Sequence, residues 1–270
     1  MSLIGEYLRA RRELVRPEVV GLPDNGRRRV PGLRRDELAM LAGISTEYYT
    51  RLEQGRDHHP SAQVLDAVAR ALALDDAATA HLHELAAPRR AGRPRTERIR
   101  PSLHQLLDSW QSTPAYIQSR HLDVLAANAL AIALSPIYTP GENILRAVLL
   151  DEATRDFFPG WEGSVVGLVA SLRAMSGPDV DDPRLTELVG ELSVKSDVFR
   201  RLWPRHDVRP QPGGGTHRMN HPVVGELELL YDKFAVSGSA GQVLVIYHPE
   251  PASRSAEALK LLAAVSPAPG

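Results

Sequence analysis

Between Arg34 and Gly55 the chain reads RRDELAMLAGISTEYYTRLEQG, and its polar side chains suit chemistry on nucleic acid. Thr46, Glu47, Thr50 and Arg51 fall on the outer and flanking faces of a helix starting just after Ser45. Hydroxyl, carboxylate and guanidinium groups are those that hydrogen-bond base edges in a DNA groove. Arg51 has a second option, an internal pair with Glu37 or Glu53. Ser45, Arg34, Arg35 and Arg56 flank this row, and Arg28 lies upstream. These are suited to phosphates, where contacts add affinity without sequence information.

The elements that must position these groups are legible nearby. Leu38, Ala39 and Leu41 give a first helix its apolar side, and Tyr49 with Leu52, three apart, turns the second inward. Gly43 suits the helix end because it reaches φ > 0 without a Cβ penalty. Ile44 points into the corner, and the Ser45 hydroxyl can cap the next helix. The pattern predicts a helix-turn-helix whose second helix presents its N-terminal residues to the bases. Glu37-Leu38-Ala39, Gly43-Ile44-Ser45 and the RLEQGR of Arg51 to Arg56 resemble the repressor-like, XRE-type helix-turn-helix family.

The rest of the first 87 residues fits a five-helix head. Ile4, Tyr7, Leu8, Arg11, Leu14 and Val15 predict a first helix near residues 2–15. Residues 16–33, with Pro17, Gly21, Pro23, Gly26, Pro31 and Gly32, read as a loop longer than most repressor-like proteins have there. Arg27, Arg28 and Arg29 in that loop have three roles open: tracking the backbone, entering a minor groove, or solvating the loop. Val64, Leu65, Val68 and Leu72 mark a fourth helix after Ser61, and Ala78, Leu82 and Leu85 a fifth. Adjacent His58 and His59, or His81 and His83, do not share a helix face, so no metal site is expected.

A length of 270 residues suggests about two domains. No apolar run reaches a membrane span and no signal peptide opens the chain, so a cytoplasmic protein without membrane contact is expected. Cysteine is absent, which excludes disulfides and thiolate chemistry. The basic residues are nearly all arginine, a bias that hints at a GC-rich, actinobacterial type of genome. The net charge of −1 hides an asymmetry. Residues 1–100 hold 18 arginines against 14 acidic residues, and the remainder carries a net −5. A basic head joined to an acidic body fits one nucleic-acid-facing domain and one that is not. Residues 88–100, PRRAGRPRTERIR, read as the linker, and residues 101–270 as the second domain.

That second domain alternates elements. Leu103, Leu106, Leu107 and Trp110 predict a short helix, and residues 115–120 and 122–128 two strands at a tight turn. Asn128 caps a short helix. Helices follow around Ile144 to Leu149, Val165 to Met175, and Leu185 to Leu192 running on toward Phe199 and Trp203. Three strands are expected at Leu227 to Tyr231, Phe234 to Val236 and Val243 to Tyr247, then a last helix with Leu259, Leu262 and Val265. The outcome is an α+β domain, an antiparallel sheet with helices on one side. Enzyme signatures are missing: no G-x-S-x-G, Walker loop, G-x-G-x-x-G or H-E-x-x-H. Gly213 to Gly215 read as a turn, His217 and His221 as strand residues, and Asp179, Asp181 and Asp182 as a helix start.

The segments PAYIQSR, LDVLAAN, GENILRAVLLDEATRDFFPGW, VASLRA, DDPRLTELVGELSVKSDVFRRLW, HPVVGELELLYDKF and SAEALKLLAAV follow in order through residues 101–265. Together they resemble the ligand-binding domain of MmyB-like transcription regulators, a family that joins it to a repressor-like head. The resemblance implies a PAS-like fold enclosing a small, largely apolar, fatty-acid-like effector, with no other cofactor. Tyr116, Trp161, Phe199, Trp203, His221 and Tyr231 are candidate lining residues, each equally suited to core packing. Arg146 either anchors a carboxylate or pairs with Asp151, Glu152 or Asp156. The expected protein is a transcription regulator that binds double-stranded DNA as a homodimer on a two-fold site. The alternative keeps the head and makes the second domain a ligand-free interaction or dimerisation module, exposing an apolar patch instead of enclosing a cavity.

Overall fold

The computed structural model describes residues 3–23, 32–56, 60–86, 98–176, 182–207, 213–239 and 241–265. The first part is a head of five helices: α1 (Leu3–Leu14), α2 (Arg35–Ala42), α3 (Thr46–Glu53), α4 (Ala62–Ala71) and α5 (Asp76–Ala86). Their inward stripes meet in one core built from Tyr7, Leu8, Leu38, Tyr49, Leu52, Val68 and Leu82. The corner between α2 and α3 forms as its residues dictate. Gly43 sits at φ +67, and the Ile44 amide closes back on the Ala39 carbonyl at 3.0 Å. Ser45 then accepts from the Tyr48 amide at 3.0 Å. Among its described residues the predicted loop after α1 contains a 3-10 turn, Pro17–Val20, which the proline spacing did not announce.

The second part contains α6 (Pro101–Ser109), β1 (Ala115–Gln118), β2 (Val124–Ala127), α7 (Ala129–Leu134), α8 (Ile144–Leu150), α9 (Ala153–Phe157), α10 (Trp161–Ser176), α11 (Pro183–Lys195), α12 (Asp197–Leu202), β3 (Gly214–His221), β4 (Gly225–Ala235), β5 (Val243–His248) and α13 (Arg254–Val265). The strands form one antiparallel sheet in the order β2-β1-β5-β4-β3. All of α7 to α12 enters between the first hairpin and the last three strands. Tyr116, Met219, Leu227, Leu229, Val245 and Tyr247 turn from the sheet into one apolar core with residues of α7, α8, α10, α11, α12 and α13. The alternate residues, Ala115, Ile117, Leu244 and Ile246, pack on Leu103 and Leu107 of α6 and on Trp110 just after it. The sheet is therefore covered on both faces along β1 and β5, and the expectation of helices on one side is corrected for α6.

Two further expectations change. The glycine run does not make a free turn: β3 begins at Gly214 and pairs with β4 from Gly214↔Asp232 onward. A Cβ at Gly215 would lie 2.9 Å from the Tyr231 hydroxyl, and one at Gly214 would lie 2.6 Å from the Tyr231 carbonyl oxygen. Glycine is what lets these strands close on a large side chain. The two strands expected at residues 227–231 and 234–236 are the single strand β4. The long helix expected from Leu185 to Trp203 breaks at Ser196, whose hydroxyl accepts from the Phe199 amide to start α12.

Candidate functional site

The DNA-facing candidates lie on one edge of the head. Ser45, Thr46, Glu47 and Arg51 are exposed, and Thr50 is half-buried. Thr50 donates its hydroxyl to the Thr46 carbonyl at 2.7 Å, which leaves its oxygen outward as an acceptor. The Arg51 guanidinium lies 5.7 Å from the centre of the Tyr48 ring, and Glu53 is engaged by Arg12 and Arg35 instead. Arg34 and Arg56 are exposed, and the Arg34 amide donates to the Glu37 carboxylate at 2.7 Å. Arg27, Arg28, Arg29, His58, His59, Asp179, Asp181 and most of the 88–100 segment lie outside the described residues.

Arg35 has a more internal task. It gives Nε and Nη2 to Glu53 Oε1 at 3.0 and 2.8 Å. Arg12 of α1 gives Nε and Nη2 to the same carboxylate at 2.8 and 3.0 Å, and its Nη1 to the Leu33 carbonyl at 2.8 Å. Glu53 is 3% exposed and Arg12 5%. Burial alone would raise the Glu53 carboxyl, but the hydrogen bonds from Arg12 and Arg35 outweigh it and hold it below the usual carboxylate range. One buried carboxylate thus ties α1, the start of α2 and the end of α3 together. This fixes the row from Thr46 to Arg51 relative to Arg34.

The body's core holds a polar chain among apolar walls. Tyr116 stacks on Tyr138 with ring centres 4.5 Å apart. The Tyr138 and Tyr247 hydroxyls lie 2.8 Å apart, and His217 Nδ1 is 3.0 Å from the Tyr247 oxygen. The His217 ring lies 4.4 Å from that of Tyr231, whose other neighbour is Lys233, with Nζ 5.3 Å from the ring centre. Burial, and then the charge of Lys233, push the His217 pKa down to about 4, so the imidazole is neutral. Burial also lowers Lys233 and raises Tyr116, Tyr138 and Tyr247, so the phenols stay protonated. The arrangement places neutral donors and acceptors, with one cation at its edge, beside apolar walls.

Of the expected lining residues, Tyr116 and Tyr231 join this cluster. Phe199 is buried in the same core and stacks on Trp203 at 5.3 Å, but Trp203 leads away to the head. Trp161 donates its indole N–H to the Val148 carbonyl at 2.7 Å. His221 accepts at Nδ1 from the Val223 and Val224 amides at 3.2 and 3.3 Å, with Nε2 at 3.0 Å from the Ala133 carbonyl. Its ring is thus held by the backbone at both nitrogens. Arg146 pairs with Glu191 at 2.7 Å rather than with Asp151, Glu152 or Asp156. Sequence reasoning passed over Tyr138, His217, Tyr247 and Lys233. The period-2 alternation that turns Val243, Val245 and Tyr247 inward was the available signal for one of them.

Residues 99–262 match the family described as MmyB-like transcription regulator ligand binding domain, and residues 3–82 match a helix-turn-helix domain. The chain belongs to the MmyB-like transcription regulators. No curated protein matches the chain. The regulator therefore joins a helix-turn-helix head to a ligand-binding α+β body, and both matched families are regulator domains rather than enzymes. Among its described residues no helix is long and apolar enough to cross a membrane.

Proposed function

We propose that this regulator is a cytoplasmic, XRE-type repressor-like protein that binds duplex DNA as a homodimer. Its body senses a small, largely apolar, fatty-acid-like effector. Thr46, Glu47, Thr50 and Arg51 read bases, while Ser45, Arg34, Arg56 and Arg28 contact phosphates. Arg35 contributes to the phosphate side through the exposed part of its side chain. The observation that carries the effector reading is the hydrogen-bonded chain Tyr138–Tyr247–His217, which runs from the apolar core to the half-buried His217 at its edge. Buried polar groups cost free energy unless satisfied, and a run of them facing apolar walls suits the polar end of an amphiphile. We place the acyl part of the effector toward Phe199 and Trp161, and its polar end toward Tyr247, His217 and Tyr231.

Native mass spectrometry of the purified protein, followed by denaturation and analysis of what is released, tests both halves. A dimer that releases a fatty acid or a similar amphiphile supports the reading. A ligand-free protein that also fails to gain thermal stability from a panel of C10–C18 fatty acids overturns the sensor part. A selection of duplexes from a random library tests the head, and a palindrome with half-sites about one helical turn apart is expected.

A further inference from the structure

The head is docked on the body through a seam of charged and aromatic side chains. From the head come Tyr7 and Arg11 of α1 and His81 of α5. From the body come Arg173 and Ala174 near the end of α10, and the turn Trp203–Arg205 with His206 and Asp207. Arg11 Nη1 donates to Asp207 Oδ1 at 3.0 Å. Arg173 lies over the Trp203 ring at 3.9 Å, donates Nη2 to the Trp203 carbonyl at 2.6 Å, and brings Nη1 to 2.9 Å from His206 Nδ1. The Tyr7 ring stands edge-on to both His81 and His206, at 5.4 and 6.3 Å. Ala174 packs into the apolar core of the head. His206 holds φ +51, a backbone region that non-glycine residues rarely occupy, so the turn is strained into place.

Each end of this seam continues into a functional part. Trp203 stacks on Phe199, which is fully buried in the body core. Arg11 is next to Arg12, which grips Glu53 at the end of α3. A helix transmits rigidly between adjacent residues on its two faces. Meanwhile the row Ser45, Thr46, Glu47 and Arg51 is exposed with the head docked, so docking leaves the DNA face open.

We propose that this seam is a latch: closed, it fixes the recognition helix to the body through α1, and a displacement at Phe199 in the body core opens it. The coupling of latch to DNA rests on the function proposed above, whereas the coupling of body core to head does not. The latch is also acid-labile. The groups facing His206 are Arg173 from α10, Tyr7 and Arg11 from α1, His81 from α5, and its neighbours Arg205 and Asp207, with Glu6 acting on Arg173. Burial, then the charge of Arg173, push His206 down to about 3 and His81 down to about 4, although His81 Nδ1 also has the Glu84 carboxylate of its own helix at 3.9 Å. Both are therefore excluded from protonation while the latch is closed. Closure is unaffected above the ordinary histidine range. It weakens as pH falls below about 6.5, by up to about tenfold per pH unit for each histidine that opening exposes.

The test is hydrogen exchange of the full-length protein without DNA, read on peptides from α1, from the end of α3 and from residues 198–207. At pH 7.5 Arg11→Ala and Asp207→Ala should each speed exchange in α1 about tenfold. The double variant should be no faster than the faster single one, because both remove the same contact. Phe199→Leu, a change confined to the body core, should speed exchange at α1 and at the end of α3. Lowering the pH from 7.5 to 5.5 should raise the opening constant of the wild type, taken as the observed rate divided by the intrinsic amide rate at each pH, and raise it less in His206→Gln. Additive effects of Arg11→Ala and Asp207→Ala, or a Phe199→Leu protein loosened in α12 but unchanged in α1, would overturn the latch. A protein that shows the exchange coupling but binds no duplex retains the latch and refutes the DNA reading instead.

Discussion

Removing the Glu53 carboxylate should cost the head most of its stability. The charge is nearly solvent-free, and two guanidiniums make four N–H···O bonds to it between 2.8 and 3.0 Å. The Arg35 half is 47% exposed on its cationic side, so its contribution is discounted to below about 1 kcal/mol. The Arg12 half is not screened in this way. In Glu53→Ala the Arg12 guanidinium stays buried beside the Leu33 carbonyl with its main partner gone, a change that costs about 3–5 kcal/mol. A small domain has about 5–15 kcal/mol in total and shifts by about 4–8 °C per kcal/mol, so the head transition should fall by about 12–40 °C. Scanning calorimetry of the full-length protein with far-ultraviolet circular dichroism reads this directly. The effect also has a pH sign. Since the folded carboxyl is held below its ordinary range, its stabilisation is complete above about pH 5 and is lost as pH falls through the folded value. The gap between wild type and Glu53→Ala should therefore narrow below about pH 4. A loss under about 1 kcal/mol at pH 7, or a gap that does not narrow in acid, would refute the claim that this carboxylate is desolvated and paired.

Three other outcomes follow from the same geometry. Asn128 is 4% exposed, accepts from the Ala115 and Ala131 amides at 3.1 and 2.9 Å, and donates to the Trp110 and Thr113 carbonyls at 3.0 and 2.8 Å. Asn128→Ala leaves several of these buried groups unmet and should lower the body's denaturation free energy by about 2–4 kcal/mol in urea titrations. Tyr247→Phe breaks the chain between Tyr138 and His217. It should reduce the amount of co-purifying amphiphile at least severalfold without changing the circular dichroism spectrum. Glu47→Ala should change which duplexes a random library yields rather than weaken all of them alike, as judged by sequencing the selected pool.

What the sequence disclosed was what its local chemistry decides. Gly43, Ile44 and Ser45 act on residues within five positions of themselves, so the turn and the cap are readable from spacing alone. Asn128 before Ala131 is the same kind of signal. The failures share a long reach. Arg35 meets a carboxylate 18 residues on, and Arg146 meets Glu191 rather than any nearby acid. Nothing in the neighbouring residues announces either partner. Gly214 and Gly215 look like a turn until Tyr231 is folded against them, since the constraint belongs to the partner strand. Trp203 and Phe199 are chemically alike, yet one faces the head and the other the body core. Side-chain type cannot distinguish those places.

The internal use of arginine bears on how strongly salt should weaken DNA binding. Arg12 and Arg35 both hold Glu53, so the basic surplus of the head overstates what it can present to phosphates. Besides Arg35, which is engaged with Glu53, the exposed arginines of the motif are Arg34, Arg51 and Arg56. If each met one phosphate, Arg51 in addition to its base edge, a dimer would release the counterions of about six, giving a slope of log K against log salt of about −5. Engagement of Arg27, Arg28 and Arg29 from both heads would double that to about −11. Fluorescence anisotropy on a labelled duplex between 50 and 300 mM salt separates the two. A slope near −5 that loses about two units for each arginine replaced in both heads, and does not respond to replacing Arg27 to Arg29 with serine, assigns the phosphate contacts to the motif. A slope near −11 that collapses in the serine variant assigns half of them to the 24–31 segment. Arg28 then belongs to the DNA interface on the strength of that measurement, and the length of the loop that carries it acquires a function.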